Sequence, residues 1–316
     1  MLLSYGMSLQ GRSHKADDLP CQDSYINLRM DRGWVVSVVS DGVGSAKYSE
    51  WAAKLAVNEV ALYFAYVKEK DLVWDNLGAL LKDAFQRAVD KINKWAEEKG
   101  YDITDCDTTL TAAVYDGKRI AYGHSGDGGI IGLAMDGRYV AITKPQKGED
   151  FTSVIPLRDS DKWEFGFVEG EFSSVLVATD GVYDAFFPYL LKTRECEIYV
   201  PLVRYFMDLE YMLSMKSMGN VAFCDENIVI YGKAFAKSRQ EFLESKSFES
   251  VQDDMTVAVV VNTGVKSLVQ NPGYYAEPDW EGLKEAWNRK AYPHLYVDES
   301  VCEESGDIEE GGIGTA

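Results

Sequence analysis

Histidine is nearly absent from this chain: there are three in 316 residues, at positions 14, 124 and 294, while the five cysteines at 21, 106, 196, 224 and 302 form no CxxC pair. A thiolate or imidazole zinc site therefore has too few ligands to draw on, and an odd, unpaired set of cysteines builds no disulfide framework. No cysteine has an arginine six positions after it and no G-x-S-x-G elbow occurs, so neither a cysteine nor a serine nucleophile is signalled. No apolar run reaches the roughly eighteen residues a membrane helix needs. The start MLLSYGMSLQGR lacks the basic and apolar regions of a secretory leader, and the expected location is cytoplasmic, with reduced thiols. Basic residues are outnumbered, 32 against 51 acidic, for a net charge of -19. Such a surface repels phosphate backbones and anionic lipid, so neither nucleic acid nor membrane is expected as a partner. The oligomeric state is not legible.

What is present is a series of short buried-strand patterns broken by Asp-Gly. WVVSVVS at 34–40 is a continuous β-branched run that stops at Asp41-Gly42. Between 46 and 67 the period changes, and Trp51, Leu55, Ala56, Val60 and Phe64 recur at helical intervals. A second helix is expected over 77–95, with Leu81, Phe85, Val89 and Ile92 inward and Gly100 as its stop. TLTAAVY, RIAYGHS and GIIGLAM follow, separated by Asp116-Gly117 and Gly126-Asp127-Gly128, with Asp136-Gly137 before RYVAI; Asp-Gly between short strands is a hairpin signal. Residues 145–171 read as a polar excursion from the sheet, in which Trp163, Phe165 and Phe167 alternate. Strand pattern returns in SVLVAT at 174–179 and MTVAVVV at 255–261. Hairpin-connected strands with helices inserted in pairs place the chain in the α+β class. The periodicity fails after 264, which divides the chain into a domain at 1–264 and an extension at 265–316. From about 298 the extension is acidic and poor in apolar residues, and it is expected to be disordered.

Aspartates stand at the mouths of several of these strands: Asp41, Asp180, and the pair Asp253 and Asp254. A rigid strand end holds a carboxylate firmly while leaving its oxygens reachable, and several such ends brought together make an oxygen-only site. Hard cations such as Mg2+ or Mn2+ want that ligand set. Taken singly, each Asp-Gly reads better as a plain turn.

The blocks CQDSY (21–25), SDGVGSAKYSEWAAKLAV (40–57), TTLTAAVYDGKRIAYGHSGDGGIIGL (108–133), SVLVATDGVYDAF (174–186) and DDMTVAVVV (253–261) resemble, in this order, those of the metal-dependent protein phosphatase 2C family, and its bacterial branch in particular. The resemblance implies two packed antiparallel β-sheets flanked by helices, an α-β-β-α sandwich with a two-metal site at one end. It implies hydrolysis of phosphoserine or phosphothreonine esters on proteins by a water or hydroxide bridging two Mn2+ or Mg2+ ions, with room for a weaker third. By the same resemblance Asp41 bridges the two metals, Gly42 offers its carbonyl to the second, and Asp180 and Asp253 complete the first. Asp23 orders metal-bound water, and Asp127 joins Asp180 at the third ion. The implied partner is a phosphorylated protein, a Ser/Thr kinase of the same pathway among the candidates. A catalytically silent phosphatase fold, kept for binding or sensing, is the alternative reading.

The chain departs from the family pattern at three places. Leu19 stands where relatives carry the arginine that grips the phosphate, leaving Arg12 and His14, with Lys15 beside them, as candidates for that role. No histidine follows Asp41-Gly42 to act as general acid, so His14 and His124 are the alternatives there. Gln22 replaces a glutamate that holds the second metal through water in some members. Residues 145–171 match the position of the family's flap. Cys21, beside Gln22, reads as a small packed residue.

Overall fold

A strand that is apolar at every position needs cover on both faces, and the fold supplies it with four layers. The protein is described by a computed structural model over residues 1–148, 153–192, 198–215 and 221–296. One sheet has the order β1 (Leu2–Leu9), β10 (Met255–Asn262), β9 (Phe172–Ala178), β6 (Gly129–Ala134), β7 (Tyr139–Ala141); the other runs β2 (Ser24–Arg29), β3 (Val35–Ser40), β4 (Leu110–Tyr115), β5 (Ile120–Ser125), β8 (Glu164–Phe167). All neighbours are antiparallel. Helices α2 (Ser49–Tyr66) and α3 (Leu77–Lys99) cover the second sheet, and α5 (Val200–Met207), α6 (Leu209–Met215) and α7 (Ile228–Leu243) cover the first. Three short or peripheral helices complete the set: α1 (Arg12–Ala16), α4 (Asp180–Tyr183) and α8 (Trp280–Ala291). The α+β sandwich expected from the sequence is the fold observed.

The alternation of side chains along each strand divides the core in three. Val35 and Val39 of β3, Ala113 and Tyr115 of β4, Val175 and Val177 of β9, and Ala258 and Val260 of β10 meet between the sheets. Their neighbours Val36, Val38, Ala112 and Val114 turn to α2 and α3, while Leu176, Val257, Val259 and Val261 turn to α5–α7. Burying a side chain of this size is worth about 1.5–3 kcal/mol, which is why runs such as VVSVVS admit only serine as a polar member.

The helices show where a pattern read by eye fails. Helix α2 starts at Ser49, and its inner face is Ala52, Ala56, Val60 and Phe64 with Ala53 and Val57. Trp51, expected on that face, is 50% exposed, with Lys54 Nζ 5.0 Å from its ring. Small alanines let the helix lie close to the sheet, and an indole has no room there. Helix α3 ends where expected, with Gly100 in the left-handed region at φ 70°.

Two expectations about connections need correction. Gly126-Asp127-Gly128 is not a hairpin: β5 pairs with β4 and β8, β6 pairs with β7 and β9, and the turn carries the chain from one sheet to the other. Gly126 has φ 119°, and a Cβ there would lie 2.5 Å from Thr109 Cβ, so only glycine makes the crossing. The excursion at 145–171 also returns to the sheet, since 164–167 forms edge strand β8 on β5. Trp163 and Phe165 pack on Phe85 of α3 at centroid distances of 5.6 and 5.2 Å, whereas Phe167 stays 45% exposed beside Trp74.

Past Gly264 the chain folds back onto the first sheet. Leu268 N donates to Met135 O at 2.9 Å, the ring of Tyr274 stacks on Tyr139 at 6.3 Å, and Trp280 and Trp287 of α8 meet Tyr199 and Tyr189 edge-on. No residue of α8 is buried, which leaves little apolar periodicity to read. The expected disordered tail at 298–316 lies outside the described residues.

Candidate metal centre

Antiparallel register decides which strand ends meet. Ser24 pairs with Ser40, Leu110 with Ser125, Gly129 with Ala178 and Val257 with Ala178. The end of β3, the starts of β2 and β4, the β5–β6 crossing, the end of β9 and the start of β10 therefore share one end of the sandwich. Asp23, Asp41, Asp127, Asp180 and Asp253 each flank one of these ends. Four of them, Asp41, Asp127, Asp180 and Asp253, line a cavity of about 650 Å3 together with Gly42, His14, Gln22, Asp107 and Arg158.

The Asp41 backbone is fixed from both sides. Asp41 N donates to Thr109 Oγ1 at 3.0 Å, and Asp41 O accepts from Thr109 N at 2.8 Å and from Thr108 Oγ1 at 2.7 Å. Gly42 faces Thr108 across an isolated bridge; its N–H donates to Gln22 O at 3.2 Å, and among the described residues its carbonyl oxygen meets no donor. A Cβ on Gly42 would come within 2.7 Å of Ser49 Cβ, so the close approach of α2 to this loop needs glycine. Asp23 is buried and accepts from Thr179 Oγ1 at 2.8 Å. Asp180 opens α4 directly after β9.

Ligand atoms of Asp41, Asp127 and Asp180 all lie within 4.8 Å of one another, close enough to share a cation. Burial pushes the Asp41 carboxyl well above the usual range, and Asp23, Asp180, Asp253 and Asp127 add like-charge repulsion. Burial also raises Asp23 and Asp180, with Asp254 adding to the first and Asp127 and Asp253 to the second. Buried oxygens with no protein hydrogen-bond partner occur on Asp23 (Oδ1), Asp127 (Oδ1), Asp180 (Oδ1) and Gln22 (Oε1). An unsatisfied buried acceptor is costly, and several pointing to one cavity is what hard cations and their waters satisfy. The residues present fit a divalent-cation site.

The remaining sequence candidates fall in three places. His14 lines the cavity with Nδ1 2.9 Å from Asp254 Oδ1. Arg12 is absent from the cavity wall, 3.8 Å from Glu249. His124 is fully buried, its Nε2–H donating to Lys144 O at 3.1 Å and its Nδ1 accepting from Thr111 Oγ1 at 2.9 Å; burial lowers its pKa, and the ring acts as a neutral brace. Leu19 is 42% exposed. Cys21 is half-buried, and burial pushes its thiol up to about 12, consistent with an inert packed residue.

Two residues have roles that the reading of the sequence did not assign. Asp254 turns inward and accepts from Gly11 N and Gln22 N, both at 2.5 Å, clasping the loops that carry His14 and Asp23. Strand alternation in DDMTV separates the outward Asp253 from the inward Asp254, and that signal was available. Arg158 lies in an aperiodic stretch, and nothing local marks it.

Comparisons with known proteins bear on the fold and the family. A bacterial serine phosphatase in variant form superposes with a TM-score of 0.55 at 12% identity, covering 84% of this chain and all of the other. The Streptococcus agalactiae (S. agalactiae) serine/threonine phosphatase gives 0.54 at 14%, covering 83% and 99%, and that of Staphylococcus aureus 0.51 at 14%, covering 83% and 95%. At such identities the likeness is one of fold. No curated protein sequence matches the chain. The family model described as Protein phosphatase 2C matches residues 10–218, which span Asp23, Asp41, Asp127 and Asp180. With more than half of its length matched, the chain belongs to the protein phosphatase 2C family.

Proposed function

We propose that the chain is an active metal-dependent phosphatase that hydrolyses phosphoserine and phosphothreonine esters on proteins. The observation that carries this reading is the convergence of Asp41, Asp127 and Asp180 within 4.8 Å in a cavity where carboxylate oxygens are buried without protein partners. Family membership supports the phosphatase class, and the acidic positions are those an active site requires. Asp41 and the Gly42 carbonyl, with Asp180 and Asp253, would hold two Mn2+ or Mg2+ ions, and Asp127 with Asp180 a weaker third. When bound, such cations supply the positive charge that acidifies a water and offsets the phosphoryl oxygens.

The chain's own contribution is placement. Thr108 and Thr109 lock the Asp41 backbone from two sides, so its carboxylate enters the cavity at a fixed angle. Asp23, oriented by Thr179 from the buried side, would order water at the site. His14 stands at the wall, steadied by the buried Asp254, where an imidazole N–H can meet an oxygen of the ester.

The test is an assay on an aryl phosphate beside phosphoserine and phosphothreonine peptides, with Mn2+, with Mg2+ and with chelator. Turnover that appears with either cation and vanishes with chelator is expected; full activity in excess chelator would sink the reading. Peptide binding without turnover would instead identify a silent binding module.

A further inference from the structure

We infer that Arg158 is the residue that captures the substrate's phosphoryl group, a reading that rests on the proposed phosphatase function. Arg158 supplies the only guanidinium among the described residues lining the cavity, where Asp41, Asp107, Asp127, Asp180 and Asp253 are all acidic. A phosphate dianion entering such a cavity needs a fixed cation on the wall as well as at the floor.

The structure builds a support for this one side chain. Residues 41–43 pair with 107–109 through Thr109 N to Asp41 O at 2.8 Å and Val43 N to Asp107 O at 3.1 Å. Leu157 extends the strip by a third row, its N–H donating to Thr108 O at 2.7 Å, and Trp163 Nε1 closes it by donating to Leu157 O at 2.8 Å. Leu157 itself is 1% exposed, rooted in the core beneath α3. Arg158, the next residue, thus starts from a fixed backbone two rows away from the Asp41-Gly42 turn.

Its head group is held as well as its backbone. Nη1 lies 2.9 Å from Asp107 Oδ2, Nε lies 3.7 Å from Asp159 Oδ1, and Nη2 makes no hydrogen bond among the described residues. Asp107 is 12% exposed against 37% for the arginine, so the acid is the recessed partner and the arginine the more open one on the cavity wall. A planar fork held at Nη1, with Nε beyond hydrogen-bond reach of Asp159, keeps its Nε and Nη2 donors for phosphoryl oxygens, a fixed pair that a lysine cannot offer. Arg12, by contrast, is turned to Glu249 outside the wall.

The test uses the full chain loaded with Mn2+ and compares wild type with Arg158→Ala, Arg158→Lys and Asp107→Asn. Binding of inorganic phosphate is measured by calorimetry, Mn2+ stoichiometry in parallel, and kcat and KM on an aryl phosphate. Arg158→Ala is expected to weaken phosphate binding and raise KM by about ten- to a hundredfold at unchanged Mn2+ stoichiometry. Arg158→Lys should recover only part of the loss, because it restores charge without the fork, and Asp107→Asn should cost less than either. Arg158→Ala binding phosphate within twofold of wild type would overturn the assignment. Wild-type turnover that Arg158→Ala leaves intact would overturn it and keep the phosphatase reading. Arginine-dependent phosphate binding in a wild type with no turnover would do the reverse.

Discussion

Five aspartates, each ordinary in its own stretch of sequence, are the residues proposed to carry the chemistry, with unequal shares of the work. Asp41 stands within ligand distance of both Asp127 and Asp180, and it feels the charge of every other carboxylate in the cluster. Asp41→Ala is therefore expected to lower turnover by several orders of magnitude and to reduce the number of cations bound, measured by calorimetry. Asp127→Ala, which removes a ligand proposed for the weaker third cation, should keep two bound cations while slowing turnover; an Asp41→Ala protein that binds two metals and turns over normally would refute the site. A second residue-scale prediction concerns the metal-free protein. Burial, with neighbouring carboxylates adding to it, pushes Asp180 up to about 7 and Asp23 up to about 8, against an ordinary 3.8. The folded chain then holds protons that the unfolded chain has released, so stability falls as pH rises from about 4 to about 8. With chelator present, the melting temperature should drop across that window, and Asp41→Asn, which removes one of the repelling charges, should flatten the drop and raise the value at pH 8. A melting temperature that is level from pH 5 to pH 8 in chelator would show that the cluster is not strained by its own charge.

At the scale of elements, the β5–β6 connection decides the most. Asp-Gly turns at Asp116-Gly117 and Asp136-Gly137 do close hairpins, with Gly117 at φ 98° and Gly137 at φ 88°, whereas Gly126-Asp127-Gly128 carries the chain between sheets. All three look alike locally, because positive φ at glycine serves a tight turn and a crossing equally well. Gly126→Ala should cost about 2–3 kcal/mol, since it combines a conformation alanine avoids with a contact on Thr109 that has no room to relax. It should also displace Asp127 and weaken binding of a third cation more than of the first two. Thermal melting and cation titration of that variant measure both effects. The excursion at 145–171 teaches a related lesson: Trp163 and Phe165 anchor it to α3, and that anchoring is what places Arg158 at the cavity wall.

For the molecule as a whole, the question is what the extension adds. Residues 265–296 run along the edge of the first sheet, with Tyr274 OH accepting from Tyr139 N at 2.9 Å and Gln270 Nε2 donating to Asp136 O at 2.6 Å. A chain ended at 297 should melt within a degree or two of the full chain, because the acidic remainder has too few apolar residues to offset its ordering entropy. Ending it at 264 should lower the melting temperature by several degrees, through loss of the cover on β7 and of the aromatic contacts to Tyr189 and Tyr199. Calorimetric melts of the two truncations decide it, and a large drop for the shorter cut at 297 would mean that the tail docks on the domain.

By itself, the sequence determined the class of fold and pointed to the chemistry proposed for the site. Buried strands announce themselves by being apolar at every position, Gly100 marks the end of α3, and oxygen ligands are what remains when histidine and paired cysteine are scarce. Those properties are local or compositional, and local patterns record them. Tertiary structure alone decided which strand ends meet, because pairing Val257 with Ala178, or Gly129 with Ala178, depends on residues far apart along the chain. It separated Arg12 from the cavity, set His124 as a buried brace and brought Arg158 to the wall beside Asp107. A single charged side chain in an aperiodic segment leaves no trace in a period or a composition, and its role exists only where the fold delivers it.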